Sequence, residues 1–301
     1  MYKIISNRKI WLSFSGLLVA TAIAFLSLWG LNFGLDFTGG SLLEVQFNNF
    51  ETNTLEIKEQ VSSLNLSSLS VQPTENNSYI LKFKDDNENI HKEIMNSLST
   101  LAGDNLEASV EELRFDSVGP SIGEELKSKS LNAVILVLII IVLYIALVFK
   151  KVSKPVSSWK YGITAIIALF HDVLITLGVF ALLGYLMNLE INTPFVAAIL
   201  TVIGYSVNDT IIVFDRIREN LPQSNDNFSN TVNKSVNQTI TRSINTSLTT
   251  LLVLIAILIW GGANIQEFIL ALAIGIFIGT YSSIFLASPL LVVWEKLGKK
   301  K

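Results

Sequence analysis

Residues 131–149 read LNAVILVLIIIVLYIALVF and contain no charged side chain. A helix of this length, rising about 1.5 Å per residue, spans most of the ~30 Å hydrocarbon core of a bilayer. Lys150 and Lys151 follow directly, as is typical at the end of a membrane span. The run therefore predicts a transmembrane helix.

Five further apolar windows of this kind occur along the chain, at residues 10–31, 161–183, 193–214, 243–260 and 268–294. Half of all residues are hydrophobic and only 16% are charged, a balance that one water-soluble core cannot bury. The sequence therefore predicts a membrane all-α bundle of six transmembrane helices.

Most of the 22 Lys and Arg residues lie before the first span, after the second and fourth spans, or at the end of the chain. The two short loops on the other side, residues 188–192 and 261–267, contain none. Because positive charge concentrates in cytoplasmic loops, both termini are predicted to be cytoplasmic.

The segment between the first two spans, residues 32–127, is then expected outside the membrane. It is strongly acidic, which does not suit nucleic acid binding. Its pattern predicts strands at 41–47, 69–73, 79–84 and 106–115 and helices at 54–64 and 89–101. This βαββαβ order indicates an α+β ferredoxin-like periplasmic domain between helices 1 and 2, with residues 1–31 and 128–301 forming the membrane part.

Asp209 in the fourth span is the strongest candidate for a functional residue, because a charge inside the bilayer costs at least ~2.5 kcal/mol. It lies about 22 Å along its helix from Pro194, and Arg242 reaches a similar depth at the start of the fifth span. Burial disfavours a charged carboxylate and a nearby arginine favours it, so the pair predicts a proton relay. The alternative is a static ion pair that only fixes packing.

A second polar site is predicted less sharply. It comprises a histidine and an aspartate in the third span and polar residues on the fourth and fifth spans: His171, Asp172, Asn208, Asn245, Thr246 and Thr249. Such groups either satisfy one another as a structural contact or form a second relay point, and their spacing does not decide between these.

Small residues recur every fourth position in the sixth span, at Ala271, Gly275, Gly279 and Ser283. This small-xxx-small pattern predicts a close helix contact, either within the chain or with a partner.

Enzymatic chemistry is not expected. The sequence has no cysteine, no phosphate-binding loop and no recognisable serine, histidine and acid spacing, and we predict no cofactor and no metal site. His91, the other histidine, is expected at the surface of the outer domain.

Five stretches resemble a known family. They are GLDFTGG at 34–40, GPSIGEEL at 119–126, GYSVNDTIIVFDRIREN at 204–220, RSINTSLTTLL at 242–252 and GTYSSIFLASPL at 279–290. Together they resemble the SecF subunits of bacterial SecDF protein translocases, within the resistance-nodulation-division superfamily.

This resemblance implies a multi-pass protein of the bacterial plasma membrane that forms an obligate complex with SecD. It further implies action on preproteins at the SecYEG channel, with YajC and YidC as further partners, driven by the proton motive force or by sodium. In the family, the proton-path residues fall on Asp209 and Arg242. Two alternatives are a non-transporting scaffold for insertion factors and a small-molecule exporter of the same superfamily.

Overall fold

The computed structural model describes residues 1–74, 76–84, 88–103, 107–148, 156–262 and 265–299. The chain divides into two compact units, a membrane unit (Met1–Asn32 with Ser130–Lys301) and a small unit (Phe33–Lys129). Several residues used above lie outside the described ones: Leu106 of the last predicted strand, Phe149 at the end of the second span, and Lys150, Lys151, Lys154, Lys300 and Lys301.

Ten helices and four strands make up the described chain. In order they are α1 (Arg8–Leu28), α2 (Leu35–Thr38), β1 (Gly40–Asn48), α3 (Thr54–Gln60), β2 (Ser70–Pro73), β3 (Ser78–Phe83), α4 (Glu88–Ser99), β4 (Ser109–Val118), α5 (Pro120–Val148), α6 (Ser158–Met187), α7 (Thr193–Asn220), α8 (Phe228–Trp260), α9 (Gln266–Ser282) and α10 (Ser288–Lys299). A π-helical turn, Ser283–Ala287, joins α9 to α10.

Six helical segments are long and apolar enough to cross a membrane in the described part of the chain, which confirms the six predicted spans. Several helices extend well beyond the predicted windows. Helix α8 begins at Phe228 rather than at Ser243, because its polar first half buries one face through residues such as Val232, Val236 and Thr239. A search for apolar runs detects the lipid-crossing part of a helix and misses an amphipathic extension.

The small unit is a four-stranded antiparallel sheet in the order β2-β3-β1-β4. Its elements follow the predicted βαββαβ order, with α3 and α4 as the two helices. The core lies between sheet and helices, where Leu43 and Leu81 of the sheet are fully buried with Ile57 of α3 and Ile94 of α4. The first predicted helix, 54–64, ends earlier, because a 3-10 turn, Ser62–Leu64, replaces its last turn.

Two glycines connect the short helix α2 to β1. Gly39 has φ 71° and Gly40 has φ 128°, conformations that residues with a side chain rarely adopt. A Cβ on Gly39 would lie 2.9 Å from Pro120 Cα, and one on Gly40 would lie 2.6 Å from the Phe83 carbonyl oxygen. These glycines therefore hold the start of β1 against β3 and the first turn of α5.

Three helices form the centre of the membrane unit. About half of the apolar windows of α6, of α7 and of the segment from α9 to α10 is buried, whereas α1 and α5 are mostly exposed. Helix α1 packs on α6 where Gly178 faces Ala22, and a Cβ on Gly178 would lie 2.5 Å from the Ala22 Cβ. The buried ionisable residues described below lie on or between these central helices.

Gly40→Ala is expected to destabilise the small unit by about 2 kcal/mol or more, because it combines a strained φ with a backbone clash. Hydrogen exchange of the β1 amides in the full-length chain measures this loss. Gly119→Ala is the matched control, since a Cβ there meets nothing within 4 Å and should change stability by less than about 0.5 kcal/mol. Equal protection in the two variants would contradict the steric role of Gly40.

Candidate functional site

Asp209 lies on the buried face of α7 and is 5% exposed. One carboxylate oxygen, Oδ1, accepts a hydrogen bond of 2.6 Å from the Ser243 hydroxyl of α8. The other oxygen, Oδ2, is buried and has no hydrogen-bond partner among the described residues. Half of this carboxylate is therefore open to a further ligand, and an unpaired buried acceptor costs about 1–3 kcal/mol.

Arg242 does not pair with Asp209 in this structure. Its side chain is exposed, and no ion pair joins the two within the described ranges. The sequence predicts that the two residues lie at the same depth in the membrane. The hydrogen bond to Asp209 from Ser243, the residue next to Arg242, agrees with that prediction. Adjacent helical residues point about 100° apart, however, so Arg242 cannot face α7 while Ser243 does.

The other predicted polar residues of α7 and α8 share this exposure. Asn208 of α7 and Asn245, Thr246 and Thr249 of α8 are all exposed, and the three α8 residues form with Arg242 what we call the polar stripe of α8. Its threonines donate to carbonyl oxygens of their own helix, Thr246 to Arg242 at 2.9 Å and Thr249 to Asn245 at 3.0 Å. The stripe therefore points away from the centre of the unit rather than joining the group around Asp172.

Asp172 of α6 is fully buried and has three hydrogen-bond partners. Its Oδ1 lies 2.9 Å from His171 Nδ1. Its Oδ2 accepts from the hydroxyl of Ser206 in α7 at 2.5 Å and from that of Ser282 in α9 at 2.8 Å. The carboxylate thus ties together the three central helices.

Sequence reasoning missed these two hydroxyl partners. Ser206 stands one helical turn before Asp209 and so shares its face, a spacing that marks it as a candidate. Ser282 adjoins the small-residue pattern but is out of step with it, and no periodic signal identifies it. Serine is common in membrane helices, and only the packed structure shows which hydroxyls meet a carboxylate.

Further hydroxyl contacts join the helices near Asp209 in sequence. Thr210 of α7 lies 2.9 Å from the Ser283 hydroxyl in the π-helical turn. Ser247 of α8 accepts from Tyr205 at 3.2 Å and lies 2.5 Å from Thr280 of α9. Neutral hydroxyls therefore connect α7, α8 and α9.

The small residues of the sixth span allow this close approach. A Cβ on Gly275 would lie 2.6 Å from Val202 Cγ1, and one on Gly279 would lie 3.0 Å from the Ser206 Cβ. Ala271 and Ser283 are also fully buried. At Gly275 and Gly279 the contact is internal, between α9 and α7, which answers the question that the sequence left open.

Neutral hydroxyls and one imidazole thus supply every described hydrogen bond to Asp172 and Asp209. Ser206 donates to Asp172 and lies one turn before Asp209 on the same face of α7. The two acids therefore lie close to each other. No group of three or more His, Asp or Glu side chains converges in the described part of the chain. An uptake or release of one cation at either acid would change local charge inside the bundle.

His91 lies in the small unit, about one-fifth exposed, stacked on Phe115 with ring centroids 4.1 Å apart and 2.9 Å from Glu112. It belongs to a different unit from the two buried acids.

The architecture and site define a membrane protein with buried carboxylates, and comparison with known proteins identifies its family. Residues 99–297 match the model for the protein export membrane protein SecD/SecF, C-terminal, and residues 30–49 match the SecD/SecF GG motif. The chain belongs to the SecD/SecF family of protein export membrane proteins. The GG motif contains Gly39 and Gly40, whose steric role is described above.

Two relatives that this chain matches over nearly their whole length are SecF subunits. The protein translocase subunit SecF of Thermobaculum terrenum is 40% identical over 98% of this chain and 94% of its own length. The SecF of Anaerolinea thermophila is 36% identical over 98% of this chain and 94% of its own.

A solved structure shows the same fold as part of a longer chain. The crystal structure of SecDF from Thermus thermophilus, described as a translocon-associated membrane protein, matches 98% of this chain with a TM-score of 0.81 at 33% identity. The present chain spans only 39% of that SecDF chain. In that relative, the SecF-like part therefore occurs together with a larger remaining part.

Gly275→Leu is expected to force α9 away from α7 and to lower stability by about 1–3 kcal/mol, the usual cost of overpacking. The thermal unfolding midpoint of the purified protein measures this change. Gly204→Leu on α7 is the control, because a Cβ there meets nothing within 4 Å. If both variants unfold at the same temperature, the small-residue contact does not hold the bundle together.

Proposed function

We propose that this chain is the SecF subunit of a SecDF complex and couples inward proton flow to a late stage of preprotein translocation through SecYEG. The observation that carries this proposal is Asp209, a buried carboxylate with one oxygen bonded to Ser243 and the other unpaired in the described structure. The role is energy coupling in protein transport rather than enzyme catalysis.

Two states of α8 explain how the site works. With Ser243 facing α7, Asp209 has no cationic partner in the described structure, and its open oxygen takes up a proton. A rotation of α8 by about 100° replaces Ser243 with Arg242. The guanidinium then favours the ionised carboxylate and drives the proton off. Alternation between the two states moves one proton per cycle.

SecD is the proposed obligate partner. The polar stripe on α8 places Arg242 and Asn245 on an exposed face of a helix that crosses the membrane, where contact with lipid is costly. A second bundle with polar groups of its own removes this cost. The protein translocase subunit SecDF of Thermus thermophilus is 38% identical over 94% of this chain, which covers 37% of that relative, and its name joins SecD and SecF. SecYEG, YajC and YidC are proposed as further contacts.

The proposed placement is the bacterial inner membrane, with both termini in the cytoplasm and the small unit as a ferredoxin-like domain in the periplasm. The charge distribution supports this orientation, because the Lys-rich and Arg-rich loops lie on one side. The antiparallel order β2-β3-β1-β4 and the βαββαβ succession support the domain assignment.

Asp209→Asn is expected to abolish the stimulation of export by an imposed ion gradient, because an amide cannot take up and release a proton at this position. The measurement uses proteoliposomes that contain SecYEG and the SecD–SecF complex, with proton and sodium gradients imposed separately to identify the ion. Asp215→Asn is the matched control, since this residue on the same helix is half-exposed and paired with Arg218. Full gradient stimulation of the Asp209→Asn complex would refute the coupling role and favour a scaffold.

Thr249→Cys is expected to form disulfides with cysteines introduced on SecD, because the polar stripe faces the partner. Ile244→Cys serves as the control, since Ile244 is also exposed but points about 140° away around α8. The readout is the yield of crosslinked SecD–SecF in native membranes. A higher yield from position 244 than from position 249 would place the partner on another face.

A further inference from the structure

We propose that His171 and Asp172 form a second proton-binding site in the membrane unit, separate from Asp209, in which a proton enters at His171 Nε2 and is held as neutral Asp172. This proposal extends the ion coupling proposed above, and its functional role depends on that coupling. Its evidence is a different set of atoms, on α6 rather than on α7.

The position of the hydrogen on the imidazole depends on the charge of Asp172. Asp172 Oδ1 lies 2.9 Å from His171 Nδ1, and Oδ2 already accepts from two serines. Ionised Asp172 therefore requires the hydrogen of a neutral His171 to sit on Nδ1. The second ring nitrogen, Nε2, is then an acceptor with nothing to accept.

The unpaired Nε2 of His171 is a second observation that supports the site. His171 is 3% exposed, and its Nε2 has no hydrogen-bond partner within the part of the chain that the structure describes. The Tyr281 ring stacks against the imidazole with centroids 6.2 Å apart, while the Tyr281 hydroxyl is 3.0 Å from Ser15 of α1. Buried polar atoms are satisfied in most proteins, so an open lone pair beside a buried anion calls for a ligand.

A proton fits this site better than sodium. The Ser206 and Ser282 hydroxyls lie 2.5 and 2.8 Å from Asp172 Oδ2, so the carboxylate and its donors are already in contact. A metal cation among these oxygens would have to push them apart, whereas a proton occupies an existing N–H or O–H position.

The transfer changes only N–H and O–H bonds. Nε2 takes up the proton, and the resulting imidazolium gives its Nδ1 proton to Asp172 Oδ1. The products are a neutral carboxyl and a neutral imidazole with hydrogen on Nε2, and the bond between the two residues remains with its direction reversed. Release follows the same steps backwards.

Ser282 gives this proton a mechanical consequence. Its single hydroxyl hydrogen has two acceptors within reach, Asp172 Oδ2 at 2.8 Å and the Gly279 carbonyl oxygen at 3.1 Å. A carboxylate is a stronger acceptor than a neutral carboxyl, so protonation favours the turn toward Gly279. This breaks the α6–α9 bond at the residue that directly precedes the π-helical turn, a helix irregularity that is frequent at functional sites.

Among the described residues, His171 is the one ionisable group paired with Asp172. From α7 the facing acid is Asp209, one turn from Ser206, and from α9 the titratable group is Tyr281. Helix α1 carries Arg8 and Lys9 in its first turn, about two turns from Ser15, and α10 carries Glu295 and Lys296 about 20 Å along the helix from Ser282. Along α7, charged residues resume at Asp215, about 13 Å from Ser206.

Nitrogen-15 NMR of the SecD–SecF complex tests the proposal, because this chain has only two histidines. Histidine labelling of this subunit alone, with His91→Gln, leaves the His171 signals. The expected result is a neutral imidazole with hydrogen on Nδ1 at alkaline pH and protonation of Nε2 on acidification. Asp172→Asn should abolish the preference for Nδ1–H, and Ser282→Ala, which keeps the carboxylate, should preserve it.

Two results would overturn the site: an Nε2 that carries hydrogen at every pH, or one that stays unprotonated over the whole range in which the complex remains folded. Both results can be read from the protein that carries only His91→Gln, so no substitution in the membrane unit is needed. Measuring both export and the His171 signal in the Asp209→Asn complex separates the two proposals. If gradient-driven export is lost and the His171 signal does not change with pH, only the second site is refuted. If export is full and the His171 signal changes with pH, only the role of Asp209 is refuted.

Discussion

Asp172 and Asp209 are buried in the membrane unit with no lysine or arginine paired to either among the described residues, and this constraint explains much of its construction. A charged or even a neutral carboxyl in such surroundings needs hydrogen-bond partners. The chain supplies them as hydroxyls, Ser243 for Asp209 and Ser206 with Ser282 for Asp172. Hydroxyls donate to a carboxylate and also accept from a carboxyl, so the same side chains serve both protonation states. A fixed lysine or arginine at either acid would have favoured one state only.

Such short bonds require helices that approach closely, and the glycines of α9 meet this need. Gly279 lies against Ser206, and Ser282 follows within one turn, so the glycine contact brings both serines to the same oxygen of Asp172. The π-helical turn then changes the direction of side chains after Ser282, and Ser283 meets Thr210 of α7 instead. Packing and chemistry are therefore set by the same few residues of the sixth span.

The sequence predicted the parts of this arrangement that depend on one-dimensional distance. Crossing a bilayer takes about 20 apolar residues, so the six spans were found from composition. Depth along a helix follows from residue count, so Asp209 and the start of the fifth span were placed at one level. Direction around a helix axis depends on packing, and there Ser243 rather than Arg242 faces the acid. The two serine partners of Asp172 come from two other helices, α7 and α9, which are distant in sequence and which no local pattern relates to α6.

The position of Arg242 also bears on how a partner could act on this bundle. An arginine beside the acid in the isolated chain would satisfy Asp209 permanently, and the carboxylate would have no reason to exchange its ligand. Here the arginine and the acid are held on different faces of the α7–α8 pair, one exposed and one buried. Only movement of α8 brings them together, and the exposed face of α8 is where a second bundle would bind. In the proposed mechanism, a partner bound there controls when the charge pair forms and so couples ion release to the relative motion of the two subunits.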